Sequence, residues 1–257
     1  MATEYPDLSE IRFLLTDVDD TLTTDGQLLA ETLDALYQLD AAGITVIPVT
    51  GGCAGWCDSM IRLWPVKAVV GENGAFCFYK DEQSHINSIF WQEQALRESN
   101  QQRLSELADQ ALQLSPNARL AKDQPFRLAD VAIDYNQDVS GVTEQQLNEM
   151  LTVFHNAGAH ARISSIHINA WFGEYSKQAM SVRVLEQLYG LSTTQILSQA
   201  AYIGDAPNDE PMFEFFRHTF GVANIQRHLT NMTHHPKTLT KLPSGKGFAE
   251  LARQLLR

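Results

Sequence analysis

Four short stretches of this 257-residue chain hold side chains that could handle a charged substrate. Asp17 and Asp19 stand two apart in Thr16-Asp17-Val18-Asp19-Asp20-Thr21, and Thr50 precedes Gly51 and Gly52. Lys177 follows Ser176, and Asp205 and Asp209 fall in Gly204-Asp205-Ala206-Pro207-Asn208-Asp209. Singly, each has a plain structural role. Aspartates after a strand form turns, a threonine before two glycines does the same, and Asn208 or Asp209 could cap the helix that follows. Jointly, those roles leave several like charges on one rim. At an effective dielectric of about 20, two unit charges 4 Å apart repel by roughly 4 kcal/mol. A hard divalent cation bound through oxygen removes that repulsion. Mg²⁺ suits a site with one or two carboxylates, water and a substrate phosphate.

The elements around these residues place them together. Ile11 to Leu15 is an apolar run that ends in the first acidic turn, and Ile44 to Val49 is another that ends at Thr50. Both read as buried strands of a parallel sheet. Leu29, Leu33, Leu36 and Leu39 lie between them at helical spacing, with Gly43 as the stop, so the segment is a βαβ unit. Ala68-Val69-Val70 leads into Gly71-Glu72-Asn73-Gly74, and Ala75 to Tyr79 is expected to return as a hairpin. Lys177 to Tyr189 is a predicted helix with Gly190 as its stop, and Ala201-Tyr202-Ile203 is a strand ending in Gly204-Asp205. Pro207 to Pro211 opens a further helix. In open parallel sheets, ligands sit beyond the carboxyl ends of the strands. Asp17, Asp19, Thr50 and Asp205 all fall at such ends. Lys177 opens a helix, where the macrodipole disfavours a cation, and this is explained if it faces an anion. Metal, lysine and hydroxyl would then surround one phosphoryl group.

The middle of the chain has another texture. Residues 81 to about 120 are rich in Gln, Glu, Ser and Arg, with a helix expected from Gln92 to Leu114. Val131-Ala132-Ile133 is a strand, Thr143 to Asn156 a helix, and Ala161 to Trp171 a further strand. This segment lacks acidic strand ends, so residues 81–171 read as an inserted α+β domain. Residues 1–80 and 172–257 form one discontinuous, doubly wound α/β core. At the C-terminus, Gly245-Lys246-Gly247 lacks the pattern of a phosphate loop and introduces a last helix through Phe248, Leu251, Ala252 and Leu255.

Composition excludes several classes. The 19 basic against 31 acidic side chains give a net charge of −12, which argues against nucleic-acid binding. Apolar runs are too short to span a bilayer. Met1 to Asp7 carries acids and a proline where a signal peptide needs basic then apolar residues, so a soluble cytoplasmic protein is expected. Cys53, Cys57 and Cys77 have neither redox nor zinc spacing and read as buried thiols. His234-His235 likewise shows no metal-ligand spacing.

In order, Asp17-Val18-Asp19-Asp20-Thr21-Leu22-Thr23, Thr50-Gly51, Lys177 and Gly204-Asp205-Ala206-Pro207-Asn208-Asp209 resemble the four motifs of the haloacid dehalogenase superfamily of phosphatases. The insertion after the second motif and the form of the fourth resemble subclass IIB. That group includes Cof-type and sucrose-, trehalose- and mannosylglycerate-phosphate phosphatases and phosphomannomutase. The resemblance implies Asp17 as nucleophile, Asp19 as acid and base, and Thr50, Gly51 and Lys177 around the phosphoryl group. It implies Mg²⁺ on the Asp17 carboxylate, the Asp19 carbonyl and Asp205, supported by Asp209 and Asn208. Asn73 and Asn208 become substrate contacts, and the substrate a small phosphorylated metabolite such as a sugar phosphate. One departure stands out: Gly52 occupies the place where many members carry arginine.

A phosphomutase resembles the same core and insertion, and it would differ by retaining phosphate rather than releasing it. A non-catalytic phospho-sugar sensor could use the same fold, but the complete set of Asp17, Asp19, Thr50, Lys177 and Asp205 argues against a decayed site. Asn169, Trp171, Phe172 and Tyr175 either touch a sugar or pack the junction between insertion and core, and packing is the reading favoured here.

Overall fold

The computed structural model describes residues 5–164 and 166–257. Met1 to Glu4, where the signal-peptide reading begins, lie outside the described residues. From the N-terminus the chain runs β1 (Phe13–Thr16), α1 (Ala30–Ala41), β2 (Thr45–Pro48), α2 (Ala54–Leu63), β3 (Ala68–Gly71), β4 (Phe76–Lys80) and β5 (Ile86–Phe90). The insertion follows as α3 (Gln94–Leu112), β6 (Arg119–Leu120), β7 (Asp130–Asp134), α4 (Glu144–Asn156), β8 (His160–Ile163) and β9 (His167–Trp171). The core resumes with α5 (Lys177–Tyr189), α6 (Thr193–Gln199), β10 (Ala200–Gly204), α7 (Glu210–Phe215), β11 (His218–Gly221), β12 (Thr238–Leu239) and α8 (Ser244–Leu255).

The core sheet is parallel, in the order β12-β11-β10-β1-β2. A parallel bridge from Val49 to Val70 carries the pairing on to β3, which pairs antiparallel with β4, and β4 with β5, to complete that edge. Side chains alternate across it, as the two-residue period of a strand demands. Leu14, Ala201 and Ile203 join Leu36, Leu39, Ile61, Phe248 and Leu251 under α1, α2 and α8. Phe13, Leu15 and Tyr202 join Met180, Val184, Ile196 and Met212 under α5, α6 and α7. Both faces are therefore covered, and the strands read as continuous apolar runs for that reason.

A third cluster belongs to the insertion. Leu104 and Ala108 of α3 and Met150 and Phe154 of α4 pack on Val131, Ile133, Ile168 and Ala170 of the antiparallel sheet β6-β7-β9-β8. The opposite face of that sheet carries Asp130, Asn169, His167 and Trp171. Among the described residues no helix is long and apolar enough to cross a membrane.

Two details differ from the sequence reading. Ala161 to Trp171 is expected as one strand, but β8 and β9 are separate antiparallel strands. The segment reads as one strand because Ile163, Ile166 and Ile168 are β-branched. Residues 86–90, placed by composition in the insertion, pair with β4 in the sheet that begins at β3. That edge strand has Asn87 and Ser88 at its middle and no fully buried residue, so apolar periodicity did not mark it.

Gly74 joins the third strand to the lysine that opens α5. Its φ is +108°, and a Cβ there would stand 2.1 Å from the Ser176 carbonyl oxygen. Gly158 also has a positive φ, +77°, but has open space around it. Gly158→Ala is expected to cost about 1 kcal/mol through backbone strain alone. Gly74→Ala should carry that strain and displace Ser176 as well, so its denaturant midpoint should fall further. Equal midpoints for the two variants would refute the close approach.

Candidate active site

Asp17 extends β1 and is held there, its N–H donating to the Ile203 carbonyl at 2.9 Å. The chain then winds around the Val18 carbonyl, which accepts the N–H groups of Thr21, Leu22 and Thr23. Asp20 takes a left-handed φ of +55° in this coil. The result separates two neighbouring acids. Asp17 is buried against α5, whereas Asp19 is accessible at the mouth of the site.

Lys177 is the centre of the arrangement. It is 5% exposed at the first position of α5, where Ser176 caps the helix by accepting the Ala179 N–H. Its Nζ donates to Asp17 Oδ1 at 2.6 Å and to Asp209 Oδ1 at 3.0 Å. Burial opposes the charge of this ammonium, but Asp17 and Asp209 outweigh that and hold its pKa above the usual lysine value.

Asp209 is a brace. Its Oδ1 also accepts the Tyr202 hydroxyl at 2.6 Å, and its Oδ2 accepts the N–H groups of Asp205 and Ala206. It therefore reaches back to the strand end instead of capping α7, as one reading of the sequence expects. Gly204 makes room for it, since a Cβ there would lie 2.3 Å from Asp209 Oδ2. Asn208 is exposed on the preceding turn.

Carboxylate oxygens of Asp17, Asp205 and Asp209 come within 4.8 Å of one another. Three buried acids against one buried lysine leave negative charge uncompensated. Desolvation and then the opposing pull of Lys177 and the push of Asp209 set the Asp17 pKa up to about 7. Desolvation, with Asp17 and Asp209 beside it, pushes Asp205 up to about 8. Asp19 is raised as well, by the surrounding protein against the attraction of Lys177. This hard-oxygen set fits a divalent cation. Asp209 has its lone pairs engaged, so Asp17 and Asp205 are the side chains best placed to bind one.

Thr50 lies at the carboxyl end of the neighbouring strand, 1% exposed, its N–H on the Val70 carbonyl. Its Oγ1 accepts the Gly52 N–H at 2.9 Å, which leaves the hydroxyl proton to donate elsewhere. The Asn73 side chain lies over Gly51, 3.0 Å from where a Cβ would stand. Asp17, Asp19, Thr50, Gly51, Lys177, Asp205 and Asp209 are therefore gathered at one edge of the sheet. Trp171 and Tyr175 stack on each other, and Phe172 packs in the insertion's own cluster beneath the Arg103 guanidinium. Asn169 donates to Asp130. Trp171 and Tyr175 thus pack the junction with the core, as the packing reading expects, whereas Phe172 and Asn169 pack within the insertion.

Several residues around the site were not anticipated. Asn224, just past β11, donates to Asp205 Oδ2 at 2.9 Å and to the Asp20 carbonyl at 3.1 Å, tying the two acidic loops together. The only signal was a short run, Thr219 to Val222, followed by a polar residue. Glu72, fully buried at φ +44°, accepts N–H groups from Ala54, Leu128, Ala129 and Asp130, and so pins the insertion to the core. Burial, then the charge of Asp130, pushes its pKa up to about 8.

With this geometry established, comparison with known proteins gives a consistent picture. The family model described as haloacid dehalogenase-like hydrolase matches residues 14–111. Phosphoglycolate phosphatase 1 of Saccharolobus solfataricus is 25% identical over 253 residues, covering 96% of each chain. The crystal structure of a Thermoplasma acidophilum protein superposes with a TM-score of 0.75 at 17% identity, covering 96% of this chain and 99% of that one. The sucrose-phosphatase of Synechocystis, solved with sucrose and phosphate, gives 0.64 at 12% identity, covering 96% and 98%. A sugar phosphatase of subclass IIB gives 0.64 at 12%, covering 95% and 98%. Over residues 14–111 the chain is similar to the haloacid dehalogenase-like hydrolases, and its fold is that of these solved structures.

The raised pKa of Asp205 has a measurable sign. A folded-state value of about 8, above the unfolded value, means the native state holds this proton more tightly. Its contribution to stability is full below roughly pH 4, the unfolded value, and is lost as pH rises toward the folded one. In chelator, Asp205→Asn should therefore raise the melting temperature at pH 8 and give no gain at pH 4. A gain independent of pH would remove the charge-crowding account.

Proposed function

We propose that this chain is a phosphomonoesterase that works through an aspartyl-phosphate on Asp17, with a sugar phosphate as substrate class. The observation that carries the reading is the buried Lys177 ammonium, 2.6 Å from Asp17 and 3.0 Å from Asp209, beside the Thr50 loop. Such a cluster suits a group that is itself anionic and passes between the acid and a leaving oxygen.

Asp17 attacks phosphorus, and the bond to the leaving oxygen breaks as Asp19, at the open side of the site, gives that oxygen a proton. Asp19, now a carboxylate, takes a proton from water that attacks the acyl-phosphate, releasing phosphate and restoring Asp17. Desolvation raises the pKa of Asp19 against the pull of Lys177, the direction that favours its protonated, acid form. Lys177 and the Thr50 hydroxyl hold the phosphoryl oxygens as charge shifts across them. Mg²⁺ on Asp17, Asp205 and the Asp19 carbonyl would supply neutralisation of the phosphate charge. Asn224 and Asp209 keep those groups oriented. Asn73, over the Gly51 backbone, stands where it could meet the substrate.

The sugar-phosphate class rests on the likeness to the sucrose-phosphatase and to the subclass IIB sugar phosphatase. The relative named for phosphoglycolate sets the alternative. A panel of phosphorylated sugars and phosphoglycolate, read by free phosphate release, separates the two.

Asp19→Asn keeps the nucleophile but has no base for water. Given an activated aryl phosphate, this variant should accumulate a hydroxylamine-sensitive phosphate on the peptide carrying Asp17, and Asp17→Asn should accumulate none. Phosphate trapped on Asp19 would reverse the two roles. Lys177→Ala should lose on the order of 10²–10³ in kcat, as expected for one electrostatic donor. A folded variant within a factor of two of wild type would rule that role out.

A further inference from the structure

The loop Thr50-Gly51-Gly52 has no charged side chain of its own, yet a charge reaches it from the insertion. Arg127 lies just before β7 with its side chain 2% exposed. Its Nη1 donates to the Gly51 carbonyl at 3.2 Å, across the junction between insertion and core. The rest of the guanidinium is fully committed. Nη1 also meets both Asp130 oxygens at 2.9 and 3.0 Å, and Nε and Nη2 meet Asp123 at 3.3 and 2.8 Å. Asp130 is in turn held by Asn169. The fork is thus locked in one orientation, with a single donor aimed at the loop.

That one contact has leverage because the peptide unit is planar. The carbonyl of Gly51 and the N–H of Gly52 belong to the same plane. Arg127 holds one side of it, and on the other the Gly52 N–H donates to Thr50 Oγ1 at 2.9 Å. Between two glycines, which impose little restriction on φ and ψ, this plane has no local reason to prefer one orientation. If it turned, Thr50 would lose the donor that occupies its lone pair and would no longer direct its proton outward.

We propose that Arg127 is a positioning residue: through the Gly51–Gly52 peptide it orients the Thr50 hydroxyl toward the phosphoryl group. The proposal rests on the phosphatase reading above. It also makes the phosphate loop dependent on the insertion, since the guanidinium that fixes it arrives only when residues 123–130 are docked on Glu72. A lysine at 127 would keep the charge between Asp123 and Asp130, but its single nitrogen cannot serve both acids and the carbonyl together.

The test is a double-mutant cycle read by the inhibition constant of inorganic phosphate against p-nitrophenyl phosphate hydrolysis, which does not depend on the fraction of active protein. Arg127→Lys and Thr50→Ala should each weaken phosphate on the order of tenfold, the scale of one hydrogen bond to a charged group. Together they should weaken it no more than Thr50→Ala alone, because Arg127 acts through that hydroxyl. Lys122→Ala, on the same loop but exposed and paired with Asp138, should leave the constant unchanged. If Arg127→Lys does not fold, Arg127→Gln with Asp130→Asn enters the cycle instead, since that pair strands no buried charge. Additive losses, or an unchanged constant in a folded Arg127 variant, would overturn the proposal alone. A wild-type protein that neither binds phosphate nor hydrolyses the ester would overturn the phosphatase reading, and the proposal with it.

Discussion

One ammonium group surrounded by three buried carboxylates is the constraint on which the rest of this molecule depends. Lys177 cannot be buried at a helix N-terminus without acids to hold it, since both desolvation and the macrodipole oppose its charge. Asp17 and Asp209 supply them, but Asp205 then adds more negative charge than the lysine can balance. The scaffold tolerates the excess by spending its other polar groups on orientation. Tyr202 and two backbone N–H groups hold Asp209, and Asn224 holds Asp205. The surplus negative charge remains available to a cation. The site is less stable without one for the same reason that it can bind one.

The parallel sheet makes this crowding possible. β1, β2 and β10 lie side by side and point the same way, so their carboxyl ends bring Asp17, Thr50 and Asp205 together from distant parts of the chain. Both faces of the sheet are sealed by helices. Its end is the place where polar groups can be bunched without disturbing the packing. Asp19 departs from the buried set because the coil around the Val18 carbonyl turns it outward. Two acids one residue apart thereby gain opposite surroundings, one dry and paired, the other open to solvent.

How much of this was legible depended on where each partner lies. Asp17, Thr50 and Asp205 could be read because each directly follows an apolar run, and Lys177 because a cation at a helix start requires explanation. Arg127 and Glu72 could not. Arg127 looks like any charged residue of a polar loop, and its loop partner is 76 residues away. Glu72 sits in a turn-forming sequence, and its acceptor role depends on N–H groups 56 to 58 residues further on. Tyr202 hides in a strand whose alternation explains its ring but gives no sign of its hydroxyl. Strand β5 was missed because an edge strand that is half exposed has no apolar period to show.

Glu72 has a consequence for how such chains can be recombined. It gathers three successive amides of the insertion and one of α2 on a single carboxylate, in a backbone geometry that few side chains adopt. By chain topology the insertion is a cassette, entering and leaving the core through adjacent linkers. A foreign cassette spliced at those linkers would bring its own fold and leave this acid buried without its amides. The boundary along which the two parts could be exchanged therefore runs around residues 123–130, so that a working chimera would have to inherit that stretch with the core rather than with the graft.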